Sequence, residues 1–494
     1  MKNIITYSKN KSLSLFATVL IVAISFTLLN CNSPKSSKIP ITTTSEKARE
    51  YYTEGISLQE NFRGNEAVYF YLKAIAEDPD FAMAYLRMAQ VQTTPNQFLK
   101  YLTKAQAKIS NISKGEKLFI LIAEEGASNN KEKQNDLYIE LIELYPNDEV
   151  AHLTYGHFLF GIQKYKKAID QYKITIDINP DFSQSYNMLG YSYRRLGDFE
   201  QAEKYFIKYI DLLKDNPNPY DSYAELLMKM GKFESSIEYY RKALEISSDY
   251  IPSIIGIATN LNLLDQHNAS SKELERIRTI SSDPGNLRKM HFAKAVSKVA
   301  NGDFEGAIKE IKENISLSKS LEDNIALAED IGLIGSLHLM TENFDDALKY
   351  YEKSIEFFEK SNISQDLKYY VRRQLFVASS RVAFYKNDIN TLKKYTEKYT
   401  SSARQAMNPN EIRNVHELTG HINLLEEMYV DAIYEYKQAN LENPIILYMI
   451  GTAYEELGDY KNAQKIYKSV AHFNSLNDMN YAFIRKIALE KLNN

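Results

Sequence analysis

The chain has no tryptophan and a single cysteine, Cys31, among 494 residues. One cysteine excludes an intramolecular disulfide framework and any cysteine-based zinc site. Glycine (18) and proline (12) are scarce, which argues against turn-rich β architecture and for long helices. Charge of one sign is missing too: 60 Lys+Arg face 64 Asp+Glu, a net −4. No dense basic stretch offers itself to a phosphate backbone, so nucleic acid is not an expected partner. The chemical motifs are also missing, with no glycine-rich phosphate loop, nucleophile elbow or kinase set. No catalytic residue, cofactor or metal is assigned, and the expectation is a protein that is not an enzyme.

What is present begins with an export signal. Lys2, Lys9 and Lys11 precede an apolar run from Leu13 to Leu29, and no acidic residue occurs before Cys31. This is the layout of a signal peptide over residues 1–30. The run ends in Leu28-Leu29-Asn30-Cys31, which resembles a bacterial lipobox, with Asn30 where that family has Gly, Ala or Ser. The resemblance implies cleavage before Cys31, lipidation of its thiol, and a location at the cell envelope on the periplasmic side of the outer membrane. Losing residues 1–30 removes three positive charges and no negative ones, so −4 becomes −7. Residues 31–44, rich in Ser and Thr and broken by Pro34 and Pro40, read as a polar tether.

Downstream, self-similarity dominates. The second members of Tyr155-Gly156, Leu189-Gly190, Tyr223-Ala224 and Ile257-Ala258 fall at 156, 190, 224 and 258, a step of 34 residues. Small residues repeat in phase at Ala168, Ala202 and Ser236, each followed four residues later by Tyr172, Phe206 or Tyr240. The same signature recurs with Gly55, Ala67, Tyr71 and Pro79, with Gly335 and Ala347, with Gly420 and Ala432, and with Gly451, Ala463 and Tyr467. The pattern resembles the tetratricopeptide repeat family.

That resemblance implies an all-α, right-handed superhelical solenoid of about twelve helix pairs. It covers residues 45–476, with divergent units near 82–147, 285–318 and 365–399, and a capping helix at 477–494. The small residues let paired helices approach closely, and the aromatics fill the space between pairs. Turns such as Leu196-Gly197-Asp198 and Leu457-Gly458-Asp459 end one helix on a left-handed glycine and start the next on an Asp cap.

His416-Glu417-Leu-Thr-Gly-His421 is similar to a zinc-protease string but has one residue too many between the histidines. Five residues at 100° each turn the second ring about 140° away from the first. His152 and His157 share the spacing and phase around Gly156, which points to packing rather than ligation.

In this family the first helices line a concave groove. On the helix near Ser183, Asn187, Tyr191, Arg194 and Arg195 are the candidate partner-binding residues, because arginine clamps carboxylates and tyrosine adds apolar area with a hydrogen-bonding tip. The expected function is a membrane-anchored scaffold that docks a protein or peptide segment in the groove. Two alternatives are a SusD-like glycan- or nutrient-binding lipoprotein, which the missing tryptophan disfavours, and a sensor acting through a separate effector.

Overall fold

A computed structural model describes residues 38–60, 63–92 and 95–493. The expected signal peptide and Cys31 lie outside the described residues. Within them the chain folds into twenty-five α-helices and no strand.

Twenty-four of these helices form twelve antiparallel pairs. The first six are α1 (Glu46–Glu60) with α2 (Gly64–Glu77), α3 (Ala82–Gln90) with α4 (Pro95–Gln106), α5 (Lys114–Ala127) with α6 (Lys131–Leu144), α7 (Glu149–Gly161) with α8 (Tyr165–Ile178), α9 (Ser183–Arg195) with α10 (Phe199–Leu212), and α11 (Pro217–Lys229) with α12 (Phe233–Ile246). The second six are α13 (Ile251–Leu263) with α14 (His267–Ile280), α15 (Pro284–Ala300) with α16 (Phe304–Ser320), α17 (Asn324–Met340) with α18 (Phe344–Lys360), α19 (Gln365–Tyr385) with α20 (Ile389–Ala406), α21 (Pro409–Leu425) with α22 (Tyr429–Gln438), and α23 (Pro444–Glu456) with α24 (Tyr460–Ala471). A last helix, α25 (Met479–Asn493), packs on α23 and α24 and also on α15. The architecture is an α solenoid.

Six of the pairs close around one contact that the repeat pattern encodes. A Cβ added at Gly156 would collide with the Tyr172 ring, and one at Gly190 would lie 2.7 Å from Phe206. Gly55 with Tyr71, Gly335 with Tyr351, Gly420 with Tyr436 and Gly451 with Tyr467 repeat the arrangement. In these six pairs the first helix thus leaves a notch, and an aromatic from the second helix fills it. Tyr71, Tyr172, Phe206, Tyr436 and Tyr467 are all buried, each contributing about 1.5–3 kcal/mol of apolar burial.

The turns inside pairs keep the period more faithfully than the sequence signature does. Asn129, Gln163, Gly197, Gly231 and Asp265 all have positive φ, between 59° and 78°. Glycine takes this conformation without strain, and the other three hold it against a Cβ penalty. Asp148, Asp198 and Asp459 cap the helices that follow them by accepting from Ala151, Gln201 and Asn462 N–H groups. The divergent stretches are helix pairs as well. Further on, the first helices begin at 284, 324, 365 and 409, steps of 40, 41 and 44, because helices of 17–21 residues replace those of 13–14. Longer helices explain why the 34-residue signature fades there.

Successive first helices touch one another, α7 with α9, α9 with α11, α11 with α13 and α13 with α15. Closer approach on that side makes it the inner, concave one. The solenoid winds far enough for one stretch of it to meet another. Gln163 donates to Asn440 at 2.9 Å, Arg195 pairs with Glu442 at 2.9 Å, and Asn408 donates to the Asn129 carbonyl at 3.4 Å. Arg485 on α25 donates to the Leu263 carbonyl at 3.0 Å.

Residues 38–44, expected as part of a polar tether, are docked along the first units. The Ile39 N–H donates to Asp148 at 2.8 Å, and the Thr42 N–H and hydroxyl donate to Glu116 at 2.7 and 2.6 Å. The Thr43 hydroxyl and Thr44 N–H donate to Asp78 at 2.6 and 3.0 Å. The reason is local: three buried carboxylates at helix ends offer acceptors to an extended chain, and Ile39 fits over Gly115.

Candidate functional site: a charged cavity where two turns of the array meet

The predicted partner-binding residues sit on α9, and each engages its neighbours. Arg194 is buried and pairs with Glu225 of α11 at 2.6 Å, with its guanidinium over the Tyr191 ring. The Tyr191 hydroxyl donates to Glu225 at 2.9 Å and lies 3.2 Å from the Ser222 hydroxyl. Asn187 is buried, and its amide reaches Asn218 at 3.5 Å. These are contacts between consecutive first helices, at separations of 31 or 34 residues, so one repeat supplies the partner of the next. Asn187 and Arg194 therefore hold the concave wall together instead of projecting freely from it. A guanidinium this enclosed needs a carboxylate, and Glu225 supplies it.

Arg195 is different. Its guanidinium is about one third exposed and bridges to Glu442, in the loop between α22 and α23. Tyr165 at the start of α8 donates to the same carboxylate. Beside them, Lys229 at the end of α11 donates to the Phe473 carbonyl and stands 3.8 Å from the Phe473 ring centroid. Burial, reinforced by the nearby Arg194 and Arg195 charges, pulls the Lys229 ammonium down to about 8.

Together these groups line a cavity of about 470 Å³, closed on the far side by Leu441, Glu442 and Phe473–Leu476. Arg194, Arg195 and Lys229 face Glu225 and Glu442 within it, with Tyr165 and Phe473 as aromatic walls. A pocket with three cations, two carboxylates and two rings suits a polar segment carrying both charge and a flat apolar group. The sequence pattern marks one wall, Arg194 and Arg195. It does not mark Lys229, Glu442 and Phe473, because nothing periodic labels residues that meet only after a full winding of the array.

The histidine strings resolve as packing. His152 lies 2.7 Å from Gln171 and His416 lies 2.7 Å from Glu435, both 19 residues on. His157 and His421 meet Tyr172 and Tyr436, with ring centroids 5.8 and 5.5 Å apart. The two rings of His416 and His421 thus face different neighbours. Glu417 is spoken for as well: Arg381 clamps it through two bonds, at 2.6 and 3.0 Å. Among the described residues, no group of three or more His, Cys, Asp or Glu could hold a metal.

A sequence model of the tetratricopeptide repeat matches residues 183–216, 218–250 and 445–471, which fall on α9–α10, α11–α12 and α23–α24. These three stretches are tetratricopeptide repeats. The matched repeats include Arg194, Arg195, Glu225 and Lys229 of the cavity and the helix pair that follows Glu442. Among solved structures, the chain is similar to a tetratricopeptide repeat protein of Parabacteroides merdae at 13% identity, covering 55% of this chain and 92% of the other, with a TM-score of 0.34. It is also similar to a thermophilic tetratricopeptide protein of Thermus thermophilus, at 15% identity over 37% of this chain and 98% of the other, with a TM-score of 0.31. Comparison with curated proteins finds no match.

Proposed function

We propose that this tetratricopeptide array is a protein-interaction scaffold, tethered to the bacterial envelope by lipid on Cys31, and that it docks a partner segment at the cavity between its two turns. One observation carries the docking mode. The array already holds an extended segment, its own residues 38–44, through backbone and hydroxyl hydrogen bonds to carboxylates fixed at helix ends. The central cavity extends that capacity, since its rim of Arg195, Glu442 and Lys229 is polar and its aromatic walls are preformed. No helix among the described residues is long and apolar enough to cross a membrane; the anchoring half of the proposal is supported by the apolar run from Leu13 to Leu29 and the Leu28-Leu29-Asn30-Cys31 string that ends it.

The test is co-purification from detergent extracts. Arg195→Glu alone sets two carboxylates against each other, whereas Arg195→Glu with Glu442→Arg restores the bridge and inverts the charges a ligand meets. A partner retained by the wild type and lost by the folded double variant supports docking at this cavity. Identical partners in both remove the cavity from consideration.

A further inference from the structure

The docked segment at residues 38–44 is held along its whole length. Besides the bonds to Asp148, Glu116 and Asp78, Arg49 donates to the Ile41 carbonyl at 2.6 Å, and Lys38 pairs with Glu149. The three carboxylates are 5%, 1% and 6% exposed, so they are committed acceptors. Asp148 and Glu116 also cap their own helices, Asp148 through the Ala151 N–H and Glu116 through a capping box with Ser113. The segment both covers these carboxylates and supplies donors to them, which is why it belongs to the folded body. The Asp78 carboxyl is held below its ordinary range: burial opposes this, and the Thr43 hydroxyl and the Thr44 and Asp80 N–H groups outweigh it.

This docking changes the length of the membrane link. Read as a free tether, residues 31–44 would let the array stand up to about 50 Å from the lipid, at about 3.6 Å per residue. With the chain fixed at Lys38, only the seven steps from Cys31 remain, about 25 Å at full stretch.

We propose that residues 38–44 are a strap that holds one defined edge of the solenoid close to a lipid surface. That edge carries the helix ends at Asp78, Glu116 and Asp148. The proposal rests on lipidation of Cys31. It assigns the partner of this edge as the bilayer that carries the lipid, whereas the cavity at Arg195 and Glu442 is lined by the C-terminal ends of α9 and α11 and the turn that follows α7. The edge is rich in carboxylates, so attraction to anionic lipid does not supply the approach, and the short link does.

The sole native cysteine is Cys31, so a lipidated chain takes a single dye at an introduced cysteine. Asp80→Cys is suitable, because the Asp80 side chain is 82% exposed beside the strap. The full chain, purified from membranes and checked by mass spectrometry for lipid on Cys31, is placed in phosphatidylcholine vesicles containing an acceptor lipid. Strong energy transfer is expected. Freeing the strap with Ile39→Pro and Thr42→Pro, which remove two of the donating N–H groups, and Thr43→Val, which removes the hydroxyl, doubles the link and should lower transfer about two-fold, while circular dichroism stays unchanged. A lipidated chain whose transfer does not respond to strap release overturns the standoff and leaves anchoring intact. A chain without lipid on Cys31 overturns both.

Discussion

The notch between Gly190 and Phe206 makes a demand that can be measured at one atom. In Gly190→Ala the new Cβ would lie 2.7–2.8 Å from three ring carbons of Phe206, whose side chain is fully buried. The ring has no room to retreat, so overpacking should cost about 2–3 kcal/mol. Alanine returns about 1 kcal/mol through its better helix propensity, leaving a net loss of about 1–2 kcal/mol. Gly161→Ala, at the end of α7, is the control, because nothing lies within 4 Å of its added Cβ. There the propensity gain stands alone, at about 0.5–1 kcal/mol of stabilisation. Repeat arrays need not unfold in one step, so the assay is hydrogen exchange of the flanking helices. Amides of α9 and α10 should exchange about 10-fold faster in Gly190→Ala, while α7 amides in Gly161→Ala slow down. Equal or greater protection of α9 in Gly190→Ala would refute the notch as the closing contact.

Other outcomes follow from the buried charges. Arg381→Met strands the Glu417 carboxylate, which is 4% exposed, and should cost about 3 kcal/mol, seen as a lower urea midpoint. Glu417 itself is held at about 2, against its burial, by Arg381 and His421. Its folded value is below the ordinary one, so its contribution is full above about pH 4.5 and is lost as the pH falls toward about 2; Glu417→Gln should flatten the acid limb of a stability–pH profile. Asp221 is the opposite case: burial raises its carboxyl to about 7, with the Ser253 hydroxyl opposing and Glu225 adding to the rise. Stability is lost there as the pH climbs through the ordinary aspartate range toward about 7, so Asp221→Asn should raise the unfolding midpoint more at about pH 8 than at about pH 4.

Much of this molecule could be read from its residues because a repeat makes every local rule visible many times. Gly156 with Tyr172 and Gly190 with Phe206 are sixteen residues apart and obey one steric requirement, so their spacing announces the pair. Gly197-Asp198 announces the turn in the same way. The cavity obeys no such rule. Glu442 meets Arg195 only because the array winds back on itself, and a contact made once over that separation leaves no period to detect. Arg194 is legible only in part for a related reason: its own helix marks it as a groove residue, but its partner Glu225 lies one repeat ahead. Residues 38–44 read as a tether because Pro40 and three consecutive threonines follow a Ser-rich stretch, yet Ile39 and Ile41 are apolar residues that find packing partners.

The central claim is that the cavity between the two turns receives a protein segment. A photo-crosslinking amino acid at Gln163, on the cavity rim beside Asn440, tests it in intact cells, with the same group at Asp345, which is 97% exposed, as the comparison. The account predicts a discrete protein adduct from position 163 that is absent from position 345 and absent from the Arg195→Glu, Glu442→Arg double variant. A folded, membrane-bound chain that gives no adduct at 163, or the same adduct from both positions, would contradict it.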